Sequence, residues 1–125
     1  MKALTGSTGV NVVYDPVGGS LAEPALRGIA WEGRFLVIGF ASGEIPKIPL
    51  NLVLLKGCQI VGVFWGSFAM REAAKNRVHA TEIFARVGAG TLRPAIDRVM
   101  TFPEAGEALG RLERREVKGK IVLVP

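Results

Sequence analysis

The stretch Gly33-Arg34-Phe35-Leu36-Val37-Ile38-Gly39-Phe40-Ala41-Ser42-Gly43 decides the fold. Its middle, Phe35-Leu36-Val37-Ile38, is a near-continuous apolar run rich in β-branched and aromatic residues and bounded by glycines. A parallel strand buried on both faces reads this way, and the run is expected to be the central strand of a sheet. Its exit, Gly39-Phe40-Ala41-Ser42-Gly43, is small and flexible. In open α/β sheets ligands sit outside the carboxyl ends of the strands, so residues 39–43 are either the ligand-facing segment or an ordinary glycine-rich turn.

Upstream, Val10-Asn11-Val12-Val13-Tyr14-Asp15 is a second apolar, β-branched strand leading into the turn Pro16-Val17-Gly18-Gly19-Ser20. A helix follows, opened either by a Ser20/Glu23 capping box or nearer Glu23, where Pro24 suits a first turn. Ala22, Ala25, Leu26 and Ile29 mark its buried face and Gly33 its stop. Strand, helix and strand in about thirty residues have the size of a right-handed βαβ unit. Downstream, Pro46 and Pro49 make an extended connection, residues 50–56 are apolar enough for a short buried helix, and Gly57 ends it. Gln59-Ile60-Val61-Gly62-Val63-Phe64-Trp65-Gly66 reads as a third strand. The predicted class is α/β in three layers, with parallel strands near 10–15, 34–39 and 59–65 adjacent in that order.

The longest helix is expected over residues 70–87, with Ala80, Ile83, Phe84 and Val87 on one face, Arg71, Lys75 and Arg77 outward, and Gly88-Ala89-Gly90 as the stop. Arg98-Val99-Met100-Thr101-Phe102 is a brief strand. Ala105, Ala108, Leu109 and Leu112 repeat a helical stripe, and Lys120-Ile121-Val122-Leu123-Val124 closes the chain as a strand. No internal repeat or linker interrupts residues 1–125, which are expected to form a single domain.

With 125 residues, 49% hydrophobic and 22% charged, the chain is long enough for one core and too polar-poor for disorder. No apolar stretch approaches the ~20 residues of a membrane span, and the first residues carry no export signal. The single cysteine, Cys58, cannot form an internal disulfide, so a reducing cytoplasm is the expected setting. The net charge of +5 is C-terminal: residues 63–125 hold eleven Lys/Arg against seven Asp/Glu, and residues 1–62 five against four. The acids are interspersed and no aromatic-interleaved basic run occurs, which favours solvated helix faces over nucleic-acid binding.

One His and one Cys do not make a metal site, since several ligands must converge. His79 belongs to the polar side of the long helix and Cys58 to the core. There is no Gly-x-Ser-x-Gly elbow, no catalytic residue stands out, and Gly-x-Gly-x-x-Gly is absent: Gly6-Ser7-Thr8-Gly9 has the wrong spacing, and Gly88-Ala89-Gly90 follows a helix. Asp15 has no fingerprint before it to make it a ribose-binding acid and reads as a turn acid before Pro16.

Several blocks together resemble one family: residues 13–19, Val-Tyr-Asp-Pro-Val-Gly-Gly; residues 31–43; residues 62–66, Gly-Val-Phe-Trp-Gly; and residues 117–123, Val-Lys-Gly-Lys-Ile-Val-Leu. They look like the C-terminal part of quinone oxidoreductase-like enzymes in the zinc-independent branch of the medium-chain dehydrogenase/reductase superfamily. The resemblance covers essentially the whole chain and implies half of a Rossmann-like parallel sheet with flanking helices, plus a C-terminal helix and strand. It further implies NADP(H) as the family's cofactor. By position, Gly39, Phe40 and Ala41, then Phe64, Trp65 and Gly66, would line the nicotinamide pocket, with Gly18 following the fourth family strand and Lys120 near the C-terminal return. Such enzymes are similar to chains more than twice this long, with a separate catalytic domain and the glycine fingerprint placed earlier.

Three readings compete on these grounds. The first is the cofactor-domain portion of an NADPH-dependent quinone oxidoreductase, inactive alone and possessing little or no cofactor affinity. The second is a non-catalytic half-Rossmann dimerisation or interaction module, and the weakest is a basic nucleic-acid binder. Association is expected through the edge strand at residues 60–65, carrying Ile60, Val61, Val63, Phe64 and Trp65, because the resembling enzymes pair this strand with its twin across a two-fold axis. A proline at Val63 would weaken that dimer if the Val63 N–H faced the partner.

Overall fold

The computed structural model describes residues 2–125, which form two compact units divided after Arg71. In the first, β1 (Val10–Asp15), β2 (Ile29–Val37) and β3 (Gln59–Gly62) make a parallel sheet in the order β1-β2-β3. The apolar run at Phe35 therefore lies in the central strand. Its partners are in register as Val13↔Phe35 and Phe35↔Ile60 on one row, and Tyr14↔Leu36 and Leu36↔Val61 on the next.

The first row faces the core. Phe35 packs with Leu26 of α1 (Ala22–Arg27), Leu52 of α2 (Leu50–Lys56), Ile29 and Cys58. Cys58 is thus a core residue, as its place beside an apolar strand foretold. The second row departs from the expectation of burial on both faces: Tyr14 and Val61 are exposed and Leu36 is half-buried. Among the described residues the core contacts of α1 and α2 fall on the first row, and the second row of the apolar run is left partly exposed.

The first helix is shorter than the apolar spacing implied. A 3-10 turn at Gly19–Leu21 leads into α1, Leu21 occupies the cap with no side-chain hydrogen bond, and Glu23 pairs with Arg27 at 2.6 Å instead of closing a capping box with Ser20. Gly28, not Gly33, ends α1, donating its N–H to the carbonyls of Pro24 and Ala25. Ile29 consequently starts β2. The register jumps from Val10↔Ile29 to Val12↔Arg34, and Glu32 takes φ 57° inside this irregularity. A bulge of this kind adds residues to one strand only.

The third strand is also shorter than read. It ends at Gly62, and Trp65 and Gly66 begin α3 (Trp65–Arg71). The long helix expected over 70–87 is two helices, α3 and α4 (Ala73–Gly88), with Glu72 between them at φ −121°, ψ 46°.

The second unit contains α4, β4 (Ile96–Thr101), α5 (Ala105–Glu113) and β5 (Lys120–Val124). β4 and β5 pair in parallel, Val99 with Val122 and Met100 with Leu123. These two C-terminal segments are partners of each other. The apolar face of α4 is not buried: Ile83 and Phe84 are exposed, as is His79. Among the described residues no helix is long and apolar enough to cross a membrane.

Candidate functional site

Parallel strands deliver their carboxyl ends, and the loops that follow, to one edge of the sheet. The turn after β1 is shaped by Asp15, whose Oδ1 accepts the N–H groups of Val17 and Gly18, both at 2.9 Å. This is the turn acid that the sequence placed before Pro16. The loop after β2 is then tied to that turn by backbone hydrogen bonds. The Ile38 and Gly39 N–H groups donate to the Asp15 carbonyl at 2.9 and 3.4 Å, Ala41 to Pro16 at 3.0 Å, and Ser42 to Val17 at 3.0 Å, while Gly19 donates to the Glu44 carbonyl at 3.0 Å. The glycine-rich exit is therefore ordered although its composition is flexible.

On the other side, the Val63 N–H donates to the Val37 carbonyl at 2.9 Å and carries the β2–β3 pairing past the end of β3. Phe64 follows, and its carbonyl accepts the Phe68 N–H at 3.0 Å. Between the two exits lies an apolar pocket of about 410 Å³, lined by Val37, Ile38, Gly39 and Phe40 from one strand end and Gly62, Val63 and Phe64 from the other.

Three of the sequence-derived site residues, Gly39, Phe40 and Phe64, thus share one pocket. Gly18 lies behind it, where a Cβ would stand 2.8 Å from Phe40 Cδ1. Ala41 belongs to the hydrogen-bonded loop without lining the pocket, and Trp65 and Gly66 are the first residues of α3. Lys120 opens β5 in the other unit, with its N–H on the Ala95 carbonyl at 2.9 Å. Val37, Ile38, Gly62 and Val63 were missed as lining residues. The signal was available, because they are the last residues of the two strand runs.

A family profile described as zinc-binding dehydrogenase matches residues 1–123. The chain belongs to the zinc-binding dehydrogenase family. Quinone oxidoreductase-like protein 2 of Bos taurus is 37% identical over 120 residues, which are 96% of this chain and 34% of that protein. A mycobacterial structure complexed with NADPH superposes with a TM-score of 0.83 at 27% identity, covering 99% of this chain and 38% of that one. The quinone oxidoreductase of Pseudomonas syringae pv. Tomato gives a TM-score of 0.80 at 26% identity, again covering 99% of this chain and 38% of its own. The chain spans about a third of the length of the relatives it matches.

The family description implies zinc, and the residues here do not fit it. Among the described residues no three His, Cys, Asp or Glu side chains gather closely enough to hold a metal ion. Cys58 is buried with its Sγ 4.0 Å from the Val53 carbonyl, and His79 is exposed on α4. Metal chemistry has no foothold among these side chains.

Proposed function

We propose that the pocket at the carboxyl ends of β2 and β3 receives the nicotinamide end of NADP(H), and that the chain is the C-terminal portion of the cofactor domain of an NADPH-dependent oxidoreductase of the quinone reductase type. The observation that carries this reading is the meeting of Gly39, Phe40 and Phe64 around one apolar pocket outside two adjacent parallel strands. The residues fit the group: the pocket is apolar, large enough for a flat heteroaromatic ring, and bordered by strand-end backbone able to bond an amide. The NADPH-complexed relative supports the same assignment.

Bound there, NADPH supplies the hydride. This chain's own residues do the positioning. Phe40 and Phe64 offer apolar walls to the ring, and the loop bonded to the Asp15 turn fixes where Phe40 stands. Hydride transfer also needs substrate held against the cofactor, so residues 1–125 alone do not oxidise NADPH with a quinone. A reducing, cytoplasmic setting belongs to this reading and is supported by the free, buried thiol of Cys58.

The test is a fluorescence titration of residues 1–125 with NADPH beside the Gly39→Val variant. A Cβ at Gly39 meets only the Pro16 carbonyl oxygen, at 3.5 Å, so valine narrows the pocket without disrupting the turn. Weak binding that valine abolishes supports the assignment. Equal binding by both proteins, or quinone-dependent turnover by the chain alone, overturns it.

A second reading, an interaction module that associates through β3, rests on a different observation. β3 ends its sheet and carries Ile60 and Val61, with Val63 just beyond, each more than a third exposed. The two readings meet at Val63, which borders the pocket and stands at the end of the open edge.

A further inference from the structure

Asp15 ends β1 and does not line the carboxyl-end pocket, yet it is bonded to both segments that give the pocket its shape. Its main-chain carbonyl accepts the N–H groups of Ile38 and Gly39, two of the lining residues. Its side-chain Oδ1 accepts those of Val17 and Gly18. The strand register stops at Asp15↔Val37, so beyond Gly39 the loop takes its shape from the turn and not from the ladder.

We infer that the Asp15 carboxylate is the positioning residue of the carboxyl-end pocket, acting through the 16–19 turn on the Phe40 loop. An aspartate oxygen that accepts N–H groups two and three residues on closes a turn upon its own side chain. That closure holds the Pro16 and Val17 carbonyls where Ala41 and Ser42 donate to them, each at 3.0 Å. It also carries the buried Gly18 against Phe40 and brings the Gly19 N–H to the Glu44 carbonyl at 3.0 Å. With the Oδ1 bonds gone, nothing on the side chain fixes the turn, and the loop and the Phe40 ring shift with it.

Geometry is the requirement, and charge is not. One side-chain oxygen has two lone pairs, enough for both N–H groups, and an asparagine oxygen at the same distance from the backbone offers the same. Glutamate keeps the charge but moves the oxygens one methylene outward. The effect on the turn stands by itself, whereas its consequence for NADPH rests on the nicotinamide reading of the pocket.

The experiment compares the full chain with Asp15→Asn, Asp15→Glu and Asp15→Ala, first by amide and ring-proton NMR without ligand, then by fluorescence titration with NADPH. Asp15→Asn is expected to leave the Gly39, Phe40, Ala41 and Ser42 resonances in place and the affinity within about twofold. Asp15→Glu and Asp15→Ala are expected to shift those resonances, to leave those of β5 unmoved, and to bind NADPH about tenfold more weakly, the scale of one lost hydrogen bond. Unmoved loop resonances in Asp15→Ala, or Asp15→Glu matching the unaltered chain where Asp15→Asn does not, would overturn the assignment. Where Asp15→Ala fails to fold, the contrast between Asp15→Asn and Asp15→Glu decides. Should the unaltered chain bind no NADPH, the nicotinamide reading falls, and the ligand-free resonances still decide the role of Asp15.

Discussion

Gly18 is held against the ring of Phe40: a methyl group at Gly18 would stand 2.8 Å from Phe40 Cδ1 and 3.0 Å from the Glu44 carbonyl oxygen. The backbone there has φ 67° and ψ −146°, a conformation open to glycine and strained for other residues. Gly18→Ala is therefore expected to destabilise the first unit by about 1–3 kcal/mol and to displace Phe40. Urea unfolding followed by Trp fluorescence reads the first effect, because Trp31 and Trp65 both belong to that unit. Ring-proton shifts of Phe40 read the second. An unchanged midpoint with unchanged Phe40 shifts would contradict the contact.

Two glycines in or beside helices should respond with opposite signs. Gly57 follows α2 at φ 53°, ψ 28°, and a Cβ there would meet the Trp31 ring at 2.8 to 3.0 Å. Gly57→Ala should cost about 1–2 kcal/mol, from the left-handed backbone with the ring displacement added. Gly106 lies in the first turn of α5, and an alanine methyl there would have no neighbour within 4 Å. Gly106→Ala should stabilise the second unit by about 0.5–1 kcal/mol, through lower chain entropy in the unfolded state. Thermal melts by circular dichroism distinguish the two outcomes, and a shift of the same sign in both variants would refute the reasoning.

Acid should loosen the start of α5. The Thr101 N–H and hydroxyl both donate to Glu104 Oε2 at 2.7 Å, and these bonds, the N–H first, hold the Glu104 carboxyl below its ordinary value. Glu116 is lowered likewise, chiefly by its hydrogen bond from Arg114. A carboxyl depressed in the folded state contributes stability that is present above its unfolded value and is lost as pH falls through the folded value. The second unit should thus lose stability on the acid side of the carboxylate range, and Glu104→Gln should flatten that limb. A pH series of melts with and without the substitution checks this; identical acid limbs would exclude Glu104 as a source.

How much of this was legible depends on what each residue signals locally. Phe35 to Val37 announced a buried strand because apolar, β-branched runs carry their own periodicity, and its central place followed from the strand–helix–strand alternation. Gly39 and Phe40, which line the pocket, were legible as a strand exit, whereas Phe64 entered only through the family resemblance because its own run reads as strand as far as Gly66. The failures lie where two glycines or two conformations compete. Gly28 and Gly33 are both plausible helix stops, and only the hydrogen bonds of the Gly28 N–H decide between them. Val63-Phe64-Trp65 has strand composition, yet the helix starts at Trp65. Glu72-Ala73-Ala74 consists of good helix formers, so nothing in it marks the break between α3 and α4.

The last prediction concerns association through β3, and the structure changes which substitution tests it. The Val63 N–H donates to the Val37 carbonyl at 2.9 Å, inside the sheet, so it is not a donor toward a partner. Along a strand the backbone groups alternate in direction; with Val63 facing β2, Val61 and Gln59 face it too, and the N–H groups of Ile60 and Gly62 face the open edge. Of these two, Gly62 is the probe: it also borders the carboxyl-end pocket, yet a Cβ there would meet nothing within 4 Å. Gly62→Pro removes an outward donor on an edge strand, where proline is tolerated. If two copies pair isologously through β3, sedimentation velocity should show a concentration-dependent dimer for the unaltered chain and a monomer for Gly62→Pro, with the same far-ultraviolet dichroism. Val63→Pro should instead lower the melting temperature of the first unit, because it breaks a bond within the sheet. A monomer at every concentration, or a Gly62→Pro protein that dimerises as before, would rule the edge out as the interface.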